Sequence, residues 1–164
     1  MYIIKKNTKH LFLRLSNFSI YDSVEEIKKE FAKHDYLWIL KTGRKPSKDF
    51  LDDVINSNGG IILSNSKRKD KKYYYCKLES RKPENEKLVY PDYYKEYLNY
   101  ENYDFDETLK NETWLKISSF IELTSEQAND FLIIKSGRKV VDCIQSRAVY
   151  MYLYNKEEIQ LKKK

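Results

Sequence analysis

Apolar and polar positions change their period several times along the chain, and each change predicts an element. Near the N-terminus "YIIKK" and "HLFLRL" read as one or two short strands. The next stretch, "YDSVEEIKKEFAKHD", sets Val24, Ile27 and Phe31 at helical spacing. They follow a capping box, with Ser23 at the N-cap and Glu26 three positions on, so a short helix is predicted. "YLWILKTG", residues 36–43, is apolar on both faces at its centre and predicts a central strand. A second helix follows in "SKDFLDDVINSNGG". Ser47 is its N-cap, Phe50, Leu51, Val54 and Ile55 are its apolar stripe, and Asn58-Gly59 stops it.

Residues 59–80, "GGIILSNSKRKDKKYYYCKLES", read as a β-hairpin whose tip is almost entirely cationic. Residues 84–112 change character, with 9 acids against 3 lysines and six tyrosines from Tyr90 to Tyr103. Within them "PDYYKEYLNY" can form a short helix with Tyr94, Tyr97 and Leu98 inward, and the rest reads as an acidic loop. "TWLKISSFIEL" is a long strand with a polar break at Ser118-Ser119, a candidate bulge. "TSEQANDFLII" predicts a helix boxed by Thr124 and Gln127, with Ala128, Phe131 and Leu132 as its stripe. "KSGRK" is a turn, and "VVDCIQSRAVYMYLYN" gives one or two closing strands before a frayed basic tail, 156–164. No repeat or linker divides the chain, so one domain is expected over residues 1–164, with a core at about 36–150 and a strand–helix extension at 1–35. The fold class expected is α+β: a curved, mostly antiparallel sheet or pseudo-barrel with three to four short helices packed around it.

Composition narrows the functional classes. At 164 residues, 41% apolar and 34% charged, the chain is long enough for a core and too apolar for a disordered one. No apolar run reaches the roughly 18 residues needed to cross a bilayer, and the lysine-broken N-terminus is not a secretory signal. No membrane partner is expected, and the expected location is cytoplasmic. Cys76 and Cys143 stand alone in apolar, strand-like runs and read as buried thiols. With only His10 and His34 besides, no metal site or cofactor is expected. The net charge of +6 is uneven: residues 1–82 carry 19 cations against 10 acids, residues 83–164 carry 12 against 15. A basic half suits a phosphate-rich partner.

Four pieces in order carry a family resemblance: "YLWILKTG" followed by a helix, "GGIILSNS", "KKYYYCKLES", and "ETWLKISSFIELTSEQ" running from strand to helix. Together with the late "SGRKVV" they resemble the PUA-like group that includes EVE, YTH and ASCH domains. The resemblance implies a pseudo-barrel that recognises a nucleotide, often a modified base, in a pocket beside the first core strand. By position it implies Trp38, Ser64, Asn65 and Trp114 as pocket residues. The chain departs from YTH domains in having Ile61-Ile62-Leu63 where they place a tryptophan, and it lacks the Gly-x-Lys signature of ASCH domains.

The function expected is a nucleic-acid-binding module, with DNA or RNA as partner. Lys67, Arg68, Lys69, Lys71 and Lys72 on the hairpin would meet the backbone, joined by Arg44, Lys45, Lys48, Arg138 and Lys139. No catalytic constellation is recognisable: the histidines lack a nucleophile motif, and the paired acids Glu25-Glu26 and Asp52-Asp53 read as helix polar faces. His34 reads as the end of the first helix. Two alternatives stand beside the binding module. One is a protein-binding regulator or mobile-element inhibitor working through segment 84–112. The other is an ASCH-like hydrolase of modified nucleosides.

Overall fold

The computed structural model describes residues 2–15, 23–42, 44–65, 71–83, 112–143 and 150–162. All of the acidic tyrosine segment but Glu112, with the short helix expected in it, the hairpin tip with Lys67, Arg68 and Lys69, and residues 144–149 lie outside the described residues. Two short strands and a helix open the chain: β1 (Tyr2–Ile4), β2 (Lys9–Leu15) and α1 (Ser23–Phe31). Next come β3 (Leu37–Thr42) and α2 (Lys48–Asn56), then the hairpin strands β4 (Gly60–Asn65) and β5 (Tyr73–Arg81). After β6 (Glu112–Ile117) and β7 (Ile121–Glu122) stand α3 (Ser125–Ala128) and β8 (Phe131–Ile133). A 3-10 turn (Val140–Cys143), β9 (Tyr150–Asn155) and β10 (Ile159–Leu161) complete the order.

The result is a strand-rich α+β fold. One sheet runs β3-β6-β5-β4-β2-β9-β8, with β7 also paired to β5, and β1 and β10 form a separate pair. Every pairing is antiparallel except β2 with β4, which α1, β3 and α2 connect as a crossover. The sheet is not closed by backbone bonds, yet it curls. Four strands separate β3 from β9, but Lys41 Nζ of β3 lies 5.3 Å from the ring centroid of Tyr150 on β9. A flat sheet would hold these strands roughly 24 Å apart.

Each face of the sheet buries its own core. On one face Leu11, Leu13, Leu37, Ile39, Ile61, Leu63, Tyr74 and Leu115 pack with Val24 and Ile27 of α1 and Leu51 and Val54 of α2. On the other, Phe12, Ile62, Tyr75 and Leu153 pack with Ile4 of β1, Ile159 and Leu161 of β10, and Ala128 of α3. Buried His10 ties the second face together. Its Nδ1 accepts from the Gly60 amide (3.1 Å), so its Nε2 carries the proton and donates to Asn155 Oδ1 (2.8 Å). Asn155 Nδ2 in turn donates to the carbonyls of Lys5 and Glu157. Burial lowers the His10 pKa from the ordinary 6.5 to about 4, against the raising effect of its Asn155 bond.

The break expected at Ser118-Ser119 is present, with a physical reason. Ser118 N–H donates to the Lys77 carbonyl, and the Ser119 hydroxyl accepts from the Lys77 amide at 2.8 Å. The ladder is thus interrupted without leaving Lys77 unsatisfied, and β5 shifts register between Leu78 and Ser80. The second helix also follows the sequence: Ser47 Oγ accepts from the Phe50 amide, and Asn58 ends the turn at φ 59.

Other expectations are corrected. β3 is an edge strand among the described residues, not a central one: its apolar centre serves core packing on one face and half-burial of Trp38 and Leu40 on the other. The stretch "TSEQANDFLII" keeps its capping box, but its helix is four residues long and Phe131 and Leu132 enter β8. β9 offers an antiparallel partner there, and tertiary pairing overrides the helical spacing. "VVDC" forms the 3-10 turn and not a strand, which leaves Cys143 half-buried on that turn while Cys76 is fully buried in β5. The tail is not frayed along its length: Ile159 and Leu161 are buried where β10 pairs with β1.

Candidate nucleic-acid interface

The loop between β3 and α2 carries Arg44, Lys45 and Lys48, and four contacts hold it in place. Lys41, almost fully buried, donates from Nζ to the Arg44 carbonyl at 2.5 Å, and burial lowers its pKa. The Tyr150 hydroxyl donates to the Lys45 carbonyl (3.2 Å), and the Ser47 amide donates to the Tyr152 hydroxyl (2.7 Å). Phe50 stacks on Tyr152 with centroids 4.0 Å apart. The side chains of Arg44 and Lys48 are exposed on this fixed loop, and Lys45 is half-buried.

Sheet register relates this loop to the basic hairpin. Tyr150 pairs with Leu13, Leu13 with Leu63, and the next rung joins Arg14, Ser64 and Tyr73. Along this path the Tyr150 anchor of the loop lies three strands from β5 near the rung of the hairpin's root, whereas β3 leads into the loop from the opposite end of the sheet, where Thr42 pairs with Glu112 beyond the Arg81–Leu115 rung. Lys71 and Lys72 lie at that root, and Lys72 Nζ pairs with Glu122 of β7 at 3.6 Å. Arg44, Lys45 and Lys48 thus stand on the loop that Tyr150 and Tyr152 anchor, and Lys71 and Lys72 precede β5, next in sequence to Lys67, Arg68 and Lys69.

A cavity of about 480 Å³ opens beside the same root. It exists because the break after Ile117 turns Phe120 out of the ladder and toward α1. Phe120 lies 4.8 Å from the Tyr74 ring centroid and 6.1 Å from that of Phe31. Phe31 and Phe120 are half-buried and accessible, whereas Tyr74 is buried behind them, its hydroxyl donating to Glu25 at 3.1 Å. Three groups that can carry positive charge line the same cavity, Lys28, His34 and Lys162, all exposed. Lys28 Nζ sits 5.6 Å from the Tyr74 centroid, and His34 lies 3.5 Å from Glu30. The acid in the lining is Glu122, already held by Lys72.

The pocket set expected from position is not brought together. Trp38 pairs with Lys116 and Leu40 with Trp114, so both tryptophans share one face of β3 and β6, Trp38 half-buried and Trp114 buried. Ser64 stands opposite Tyr73, whereas Lys116 stands opposite Ser80, seven residues further along β5. That is about 23 Å of strand. Ser64 is also fully buried, and Asn65 continues β4 beside it, opposite Leu15. Arg138 and Lys139 are exposed after β8, which lies four strand positions from β5, away from the hairpin root.

Sequence reasoning missed Lys28, Phe31, His34, Phe120 and Lys162. Helical spacing marked Phe31 as core, and strand pattern absorbed Phe120. Only the Ser118-Ser119 break hinted that Phe120 leaves its strand. Among the described residues no group of three or more His, Cys, Asp or Glu side chains could hold a metal ion, and no helix is long and apolar enough to cross a membrane. The chain matches no protein-family model, and neither the curated proteins nor the solved structures compared with it gave a match.

Proposed function

We propose that the protein is a nucleic-acid-binding module that grips the sugar–phosphate backbone with its basic hairpin and the basic loop between β3 and α2. The observation that carries this reading is the fixed basic loop. Tyr150 and Tyr152 hold residues 44–48, with the side chains of Arg44 and Lys48 exposed. Fixed cations lose less freedom on meeting phosphates than cations on a free coil, so the loop supports affinity as well as attraction. The PUA-like resemblance, which implies a pseudo-barrel with helices packed around it, is in keeping with the same proposal. Backbone contact of this kind carries little sequence preference. A working place in the cytoplasm suits the two free thiols, Cys76 and Cys143.

The test is direct. Replacing Lys67, Arg68, Lys69, Lys71 and Lys72 together by Gln lowers affinity for any oligonucleotide by about 10- to 1,000-fold and flattens its salt dependence. Unchanged binding in that variant, with the fold intact by circular dichroism, removes the proposal's electrostatic basis.

A further inference from the structure

We infer that the cavity formed by α1, Tyr74, Phe120 and Lys162 binds a nucleoside monophosphate, its base against Phe31 and Phe120 and its phosphate at Lys28 and Lys162. This deepens the nucleic-acid reading and rests on it for the source of the ligand. Four observations carry it. First, about 480 Å³ lies within the usual size of small-ligand sites and is ample for a base, a sugar and a phosphate. Second, the apolar wall is aromatic. Phe31 and Phe120 present accessible ring surface with centroids 6.1 Å apart, and Phe120 lies against the buried Tyr74 ring at 4.8 Å, which backs it. Such a surface suits a planar ring better than a flexible chain.

Third, lysines gather at the rim. Lys28 and Lys162 come from two distant parts of the sequence and line one cavity, while Glu122 stands with Lys72 and His34 with Glu30. A phosphate attached to the base answers the two lysines. Fourth, the Tyr74 hydroxyl is committed to Glu25, so the wall offers ring surface while the polar specificity lies at the cationic rim. The Lys72–Glu122 pair joins this rim to the hairpin root, which places the cavity within reach of a strand held by the basic hairpin.

The experiment is calorimetric titration of the full-length chain with AMP, GMP, CMP and UMP, with the four nucleosides, and with laurate as an anionic chain without a ring. At least one monophosphate binds saturably and its nucleoside binds about tenfold weaker or worse. Lys28→Gln with Lys162→Gln, two exposed positions, weakens the monophosphate about tenfold and reduces its salt dependence. Phe120→Leu keeps an apolar side chain without the ring and weakens binding about 5- to 100-fold. Equal binding of nucleoside and monophosphate, binding of laurate alone, or indifference to both variants overturns the inference. A 5′-phosphorylated hexamer that binds tighter than its 5′-hydroxyl counterpart assigns the ligand to a strand end; equal affinity of the two, with free monophosphate bound, assigns it to the free nucleotide. An oligonucleotide that depends on the hairpin cations but ignores Phe120→Leu and free monophosphate overturns this inference and leaves the backbone reading standing. Monophosphate binding without oligonucleotide binding does the reverse.

Discussion

A single buried imidazole ties the stability of this fold to pH. His10 is fully buried and bridges the Gly60 amide to Asn155, a role that requires the neutral ring. Its folded pKa of about 4 lies below the unfolded 6.5, so the unfolded chain takes up the proton first as pH falls. The His10 contribution is therefore complete above about pH 6.5 and is lost between 6.5 and 4, by roughly 3 kcal/mol. Urea unfolding of the wild type and His10→Gln measures it: the stability gap between them shrinks by about that amount from pH 7 to pH 4, and a constant gap contradicts the assignment. Gly59 is a second single-residue control. A Cβ there would sit 1.9 Å from the Lys9 carbonyl oxygen, where α2 turns into β4 against β2. Gly59→Ala is expected to cost at least about 2 kcal/mol in the same assay, because backbone and not a flexible side chain is in the way.

Among the elements, the last strand carries the clearest stability prediction. β10 covers the second face through Ile159 and Leu161, and Leu161 is completely buried against its neighbours. Leu161→Ala should lower stability by about 2–4 kcal/mol, whereas a frayed tail would make it silent. This strand also shows where legibility in the sequence ended. Its three residues alternate, but so short a run next to three lysines reads equally as a tail, and only its pairing with β1 decides. The two long helices and the hairpin were legible because caps, stripes and turn residues agree locally: Ser47 before Phe50, and Asn58-Gly59 after Ile55, need no distant partner. Phe131 and Leu132 were misread because helical spacing continued past Ala128 while β9 stood ready to pair with them. β3 looked central because both of its faces are apolar, a property that edge strands share when something covers them.

For the molecule as a whole, the sequence revealed the charge but not its arrangement. The surplus of cations in the first half was plain, yet whether residues 44–48 and the hairpin act together depends on the curl that brings Lys41 of β3 to Tyr150 of β9. The register of β3, β6 and β5 argues against a pocket spanning Trp38 and Ser64, which the order of motifs alone suggested. Tyr150 and Tyr152, read as ordinary strand aromatics, are what hold the basic loop in place. Tyr152→Phe removes the acceptor for the Ser47 amide. It is expected to weaken oligonucleotide binding by about 3- to 10-fold with little change in stability, because about one hydrogen bond's worth of loop order is lost. Binding unaffected by Tyr152→Phe would separate the loop from the interface.

The most direct test of the central claim is the affinity of the wild-type chain for a 20-nucleotide DNA and RNA, single- and double-stranded, from 50 to 300 mM salt. A backbone grip by the basic hairpin and the 44–48 loop predicts binding at low salt whose log Kd rises against log salt with a slope of at least about 3, similar for every sequence tried. No binding at 50 mM, or binding indifferent to salt, contradicts it.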